Sequence, residues 1–122
     1  MNVLAALLIA PALAGVLDDG DPARGKEMYL KLCAACHSLK PGVHGHLGPT
    51  LHGVAGRKAG SVEGYDFSPA MAEDGRVWTA ENLDAYLEDP KATIPGSRMK
   101  FYGIKDRYER ADMIAFLKGL GR

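Results

Sequence analysis

Three observations predict an all-α fold of short helices and loops wrapped around a bound group. Apolar residues recur at spacings of three and four in several short runs, each opened by a capping residue. No run alternates apolar and polar residues as a strand would. Two irregular stretches, residues 40–64 and 91–103, are long for a compact domain and need something to lie against. At 122 residues the chain is one domain, without internal repeats.

The elements follow in order. Residues 1–17 carry no charge, and Val3 to Ala10 is apolar. Ala12-Leu13-Ala14 matches the small-x-small cleavage pattern of a secretory signal. This assigns residues 1–14 to a signal peptide cut near Ala14, 15–20 to a short leader and 21–122 to the domain. No Lys or Arg precedes the apolar run; it is shorter than the about 20 apolar residues of a spanning helix, which favours cleavage over an uncleaved anchor, the other reading. Asp21-Pro22 opens a helix with a capping carboxylate and a first-turn proline. Gly25, Tyr29 and Leu32 share one face of it, and it runs into Cys33. Ser68-Pro69 starts a short helix through Met71. Thr79 caps another, with Leu83, Tyr86 and Leu87 on one face, and Asp89-Pro90 ends it. Asp106 and Glu109 have capping-box spacing ahead of a last helix carrying Ala111, Met113, Ile114, Phe116 and Leu117, which Gly119 closes.

Cys33-Ala34-Ala35-Cys36-His37 reads C-x-x-C-H, the attachment pattern for a c-type haem. Two thiols three residues apart reach two vinyl groups on one porphyrin edge, and the adjacent imidazole falls under the iron. These are the chain's two cysteines. A dithiol redox motif belongs beside a βαβ pattern, which is absent. A structural zinc site wants four ligands, and His44, His46 and His52 supply numbers without a second tight pair. A plain disulfide leaves His37 without a role. A covalent haem also serves as core filler for a small chain, and its attachment suits an exported protein.

Haem iron on His37 takes a sixth ligand or keeps an open face. Met28 and Met113 lie in amphipathic helices, where methionine is usually filler. His44, His46 and His52 follow the motif too closely to cross easily to the opposite face. Met71 and Met99 remain; Met99 stands in a loop between Arg98 and Lys100, with little packing reason to be there.

The formal net charge is zero and no nucleic-acid partner is expected. Its distribution is uneven: residues 63–89 hold eight acids against Arg76, while residues 91–110 hold six bases against Asp106 and Glu109. Solvated helix faces explain such runs; a dipole that orients the protein toward a partner is the sharper reading.

From about Asp21 to Leu120 the sequence resembles the class I cytochrome c family, in its mitochondrial and bacterial c2-like branch. The resemblance rests on Cys33 to His37, Gly48-Pro49-Thr50-Leu51-His52-Gly53, Gly56-Arg57-Lys58, Trp78, Tyr86-Leu87-Glu88-Asp89-Pro90 and Ile94-Pro95-Gly96-Ser97-Arg98-Met99. It implies the small monohaem cytochrome c fold, with one haem c per chain attached through Cys33 and Cys36. It implies His37 and Met99 as axial ligands and a Pro49 carbonyl that fixes the imidazole. Arg57 and Trp78 match positions that stabilise haem propionates, Tyr86 a position near the methionine sulfur, and Ser97 a propionate contact. Gly25 and Tyr29 should cross Met113 and Phe116. Phe67 departs from the mitochondrial pattern, where a tyrosine bonds a propionate; Tyr65 is the substitute. Lys100 replaces a common aliphatic, and the lysine cluster typical of mitochondrial forms is missing around Val43 and His44.

The resemblance implies a soluble, monomeric periplasmic carrier of single electrons and not an enzyme. A quinol-oxidising complex would be the donor, and an oxidase, reductase or reaction centre the acceptor. Arg98, Lys100, Lys105 and Lys40 are candidates for the rim of the contact. The alternatives are an electron-entry haem subunit of a periplasmic dehydrogenase or sulfur-oxidising complex, and a ligand-binding sensor if Met99 is not bound.

Overall fold

The computed structural model describes residues 13–121, with side chains from Gly15 onward. Six helices follow one another: α1 Leu13–Asp18, α2 Pro22–Leu32, α3 Pro69–Asp74, α4 Ala80–Glu88, α5 Pro90–Thr93 and α6 Arg107–Lys118. Among the described residues there is no strand, only an isolated antiparallel bridge between Lys58 and Val77. Around it Gly56 N–H donates to the Trp78 carbonyl at 2.8 Å and Trp78 N–H to the Arg57 carbonyl at 2.8 Å. This clip seats Trp78, which is 6% exposed.

The predicted caps are in place. The Asp21 carboxylate accepts from Ala23 N–H, Ser68 Oγ from Met71 N–H, and Thr79 Oγ1 from Asn82 N–H. The Asp106 carboxylate accepts from both Tyr108 and Glu109 N–H. Three details differ from the sequence reading. The helix from Pro69 continues past Met71 to Asp74, because Gly75 at φ 76° supplies the left-handed stop. Asp89 caps a further turn, α5, where an irregular stretch was expected. Gly119 closes α6 as expected, but in right-handed geometry, and the left-handed residue is Gly121 at φ 77°.

α2 and α6 cross closely. A Cβ on Gly25 would run into the Asp112 carbonyl and come within 2.8 Å of Phe116 Cβ, so only glycine allows this approach. Tyr29 then meets Phe116 with ring centroids 5.4 Å apart, as expected, and Met113 is buried in the core beside them. The Asp112 carboxylate ties the start of α2, accepting from Asp21 N–H at 2.8 Å and from Arg24 Nε at 3.3 Å. α4 packs on α6 through a buried ion pair, Arg110 Nε to Asp84 at 2.7 Å. Arg110 also donates to the Ile104 and Lys105 carbonyls, at 3.0 and 3.1 Å.

The expected signal cleavage near Ala14 falls mainly outside the described residues. The expected leader, 15–20, does not trail away from the domain. Val16 and Leu17 are 3% and 2% exposed, and α1 packs on α4 and α6.

Candidate functional site: the cysteine–histidine turn and the Met99 segment

α2 delivers the motif from its last turn. Cys33 N–H and Ala34 N–H both donate to the Tyr29 carbonyl, and Cys36 N–H and His37 N–H both donate to the Cys33 carbonyl. Helical bonding therefore continues through His37, and residues at i, i+3 and i+4 share a face. That puts Cys33, Cys36 and His37 side by side. Both thiols are free and half-buried. Burial, with Cys36 beside it, pushes the Cys33 thiol up to about 11. It is therefore held protonated at neutral pH, so it is not set up as the low-pKa thiolate of a redox dithiol.

His37 is held in one orientation. Its Nδ1–H donates to the Pro49 carbonyl at 2.8 Å, which leaves Nε2 as the lone-pair nitrogen. Among the described residues nothing hydrogen-bonds to Nε2. Burial, first, and then the Arg57 charge lower the imidazole's pKa against the raising effect of the Pro49 bond, so the neutral, ligating form is favoured. Tyr29 Oη donates to the His37 carbonyl at 3.0 Å and fixes the backbone behind the ring. The loop that follows folds back on the motif: Leu47 N–H and Gly48 N–H both donate to the Cys36 carbonyl. Gly48 lies flat against the imidazole, since a Cβ there would sit 2.6 Å from His37 Cε1.

Met99 reaches the same region from a distant part of the chain, and the two residues lie near each other. It is half-buried against the core. Ser97 Oγ and Tyr86 Oη share a 2.6 Å hydrogen bond, and Ser97 Oγ also accepts from Met99 N–H at 3.5 Å. Tyr86 thus braces the Met99 segment through Ser97. Its phenol is pushed above its ordinary pKa by burial, partly offset by the Ser97 bond and by Arg76. Trp78 packs against Tyr86 with its ring tilted, centroids 5.1 Å apart.

The other expected site residues are placed as follows. The Arg57 guanidinium donates to the Thr50 and His52 carbonyls at 3.1 and 3.0 Å, and burial lowers its pKa. Tyr65 Oη donates to the Leu47 carbonyl at 2.9 Å and its ring packs edge-on against Phe67. The His44 ring spends both nitrogens, Nδ1 accepting from Thr50 N–H at 3.1 Å and Nε2–H donating to the Glu63 carbonyl at 2.8 Å. His52 stands against Gly121, at the end of the chain. Among the described residues no three His, Cys, Asp or Glu side chains gather to hold a metal, so the zinc reading finds no ligand set.

These residues fit a covalently attached haem. Two free thiols and one oriented imidazole share a face, and a thioether lies near it. Cys33 and Cys36 would hold the porphyrin edge, and His37 Nε2 would meet the iron. Sequence reasoning had not singled out Gly45, where a Cβ would strike the Cys36 carbonyl, or the Tyr29 hydroxyl on the His37 carbonyl. Glycine beside the motif was a visible signal for the first; the second had none.

The family model described as Cytochrome c matches residues 22–121. The chain is 44% identical over 101 residues to cytochrome c of Cochliobolus lunatus, covering 83% of this chain and 94% of that one. It is 45% identical over 98 residues to cytochrome c2 of Rhodomicrobium vannielii, covering 80% of this chain and 78% of that one. The solved structure of cytochrome cH from Methylobacterium extorquens superposes with a TM-score of 0.75 at 42% identity, covering 81% of this chain and 98% of that chain.

Proposed function

The chain belongs to the cytochrome c family, and from that premise we propose that it passes single electrons between redox complexes through a haem ligated by His37 and Met99. Its cofactor is haem c, and it is an electron carrier and not an enzyme. When bound, haem c supplies a one-electron ferric–ferrous couple.

The carrying observation is the His37–Pro49 bond of 2.8 Å. It fixes the tautomer, keeps Nε2 as the lone-pair nitrogen, and sits beside two free thiols on the same turn. Met99, braced by Ser97 and Tyr86, is the residue proposed to close the opposite face. A thioether there favours the reduced state and leaves no open position for a substrate. Arg57 and Trp78 are proposed to support the propionate side. The Arg57 head is already held by two carbonyls, so its contribution is a fixed positive charge.

The proposed donor is a quinol-oxidising complex, and the acceptor an oxidase, reductase or reaction centre. The proposed location is the periplasm, on the strength of the small-x-small pattern at Ala12 to Ala14. No helix among the described residues is long and apolar enough to cross a membrane. Relatives come from bacteria and from eukaryotes.

The test is the optical spectrum of the oxidised, haem-loaded protein. A weak far-red band from methionine sulfur on ferric haem, lost in Met99→Ala together with a fall in reduction potential, supports the reading. Covalent haem without that band, and with rapid carbon monoxide binding, overturns the Met99 assignment and favours a ligand-binding protein.

A further inference from the structure

Tyr29 touches the cysteine–histidine turn at both of its ends. Its backbone carbonyl accepts from Cys33 N–H at 2.8 Å and from Ala34 N–H at 3.0 Å, where the motif begins. Its hydroxyl donates to the His37 carbonyl at 3.0 Å, where the motif stops. Among the described residues that carbonyl has no other donor. The Cys33 and Cys36 carbonyls each accept two backbone N–H groups instead. The end that carries the proposed iron ligand is therefore the one tied by a side chain.

The phenol is not free to swing. Tyr29 is 3% exposed, and its ring packs against Phe116 of α6, tilted at 42°. Gly25, one turn earlier on the same face of α2, brings the two helices close enough for the rings to meet, since a Cβ there would run into the Asp112 carbonyl. Burial, and then Cys33, push the phenol above its ordinary pKa, so at neutral pH it keeps its proton and remains a donor.

Packing against Phe116 asks only for a ring. A phenylalanine at this position would fill the same space and leave the His37 carbonyl without its donor, at a part-buried site. What the hydroxyl adds is a hold on His37. The Pro49 carbonyl holds the imidazole through Nδ1 alone, and a ring held at one atom still shifts with its own backbone. Tyr29 removes that freedom from the opposite side of the residue. A metal ligand keeps its geometry when the groups behind it are themselves locked.

We infer that Tyr29 is a positioning residue for the iron ligand: its hydroxyl fixes the backbone from which the His37 imidazole reaches the haem, and Phe116 makes that hold depend on the α2–α6 crossing. The inference rests on the carrier reading, in which His37 ligates the iron. A ligand fixed in this way has little to rearrange when the iron changes oxidation state.

The test uses the haem-loaded full chain and its Tyr29→Phe and Phe116→Leu variants. Proton NMR of the ferric protein reads the orientation of the iron-bound imidazole, through the order and spread of the haem-methyl shifts. Linewidths in mixtures of oxidised and reduced protein give the electron self-exchange rate. Tyr29→Phe should keep covalent haem, change those shifts and slow self-exchange. Its folded-to-unfolded ratio in urea should fall about fivefold, the worth of one ordinary hydrogen bond. Phe116→Leu keeps the hydroxyl but frees the ring, and it should move the shifts and the self-exchange rate in the same direction. The double variant should change them by less than the sum of the two. A Tyr29→Phe protein with parent shifts and parent self-exchange, altered only in stability, overturns the positioning role and leaves the carrier reading standing. Altered shifts in Tyr29→Phe with parent shifts in Phe116→Leu overturn the link to α6. A parent protein whose ferric spectrum shows no iron-bound imidazole overturns both the positioning role and the His37 assignment.

Discussion

Arg110 and Asp84 meet at 2.7 Å between α6 and α4, and their side chains are only 6% and 9% exposed. The same guanidinium holds the Ile104 and Lys105 carbonyls, so one buried cation joins two helices to the end of the Met99 segment. Removing Asp84 leaves the buried Arg110 charge with only the half-exposed Glu88 carboxylate, at 3.8 Å, to offset it. Asp84→Asn should therefore cost about 3–5 kcal/mol. The Asp84→Met, Arg110→Met double variant should recover most of that loss. Urea unfolding of the haem-loaded protein measures both; equal losses in the single and double variants would show that the pair itself is stabilising.

Gly48→Ala tests the flat contact on the imidazole. The new methyl would lie 2.6 Å from His37 Cε1, with the ring pinned behind by Pro49. The expected cost is about 1–3 kcal/mol, typical of overpacking. It should come with a partial loss of the low-spin spectrum while covalent haem is retained. A parent-like spectrum and stability would mean that the loop carrying Gly48 yields freely.

Tyr86→Phe should alter the alkaline limb of the stability curve. Burial raises the Tyr86 pKa in the folded state above its ordinary value of about 10. An unfolded chain then releases this proton first as the pH rises, so stability is full below about pH 10 and is lost upward through the folded value. The variant also lacks the Ser97 bond, a loss of about 0.5–1.5 kcal/mol at neutral pH. The gap between parent and variant should narrow above pH 10 in urea unfolding. A constant gap would place the phenol outside this linkage.

Leu17→Ala should destabilise the protein by about 2 kcal/mol or more, because the side chain is 2% exposed. A chain that starts at Asp21 should lose at least as much. Thermal unfolding of both, against a chain that starts at Gly15, is the measurement. No difference between the two starting points would return residues 15–20 to the status of a leader.

Much of this architecture was legible locally. Ser68, Thr79 and Asp106 announced their helices because a capping oxygen acts on backbone two or three residues away. The C-x-x-C-H spacing fixed the relation among Cys33, Cys36 and His37 for the same reason. The α2–α6 crossing was readable from Gly25 and Tyr29 only with the family pattern in hand. What escaped were contacts made across the chain. Asp84 looked like an ordinary helix-surface acid until Arg110, 26 residues on, was seen to bury it. Val16 and Leu17 resembled the tail of an apolar leader because composition does not reveal where a segment docks. Gly119 was legible as the residue that closes α6, but not its right-handed backbone, nor that Gly121 takes the left-handed turn.

Along residues 97–102 the side chains alternate, Ser97, Met99 and Phe101 partly buried and Arg98, Lys100 and Tyr102 exposed, which has a consequence for how such a chain can diverge. Neighbouring codons answer to different demands: every second position serves the interior and those between serve whatever the protein meets outside. A lineage could exchange Arg98, Lys100 and Tyr102 while Ser97, Met99 and Phe101 stayed as they are. On such a segment, what faces the core and what faces the outside are inherited as separate traits.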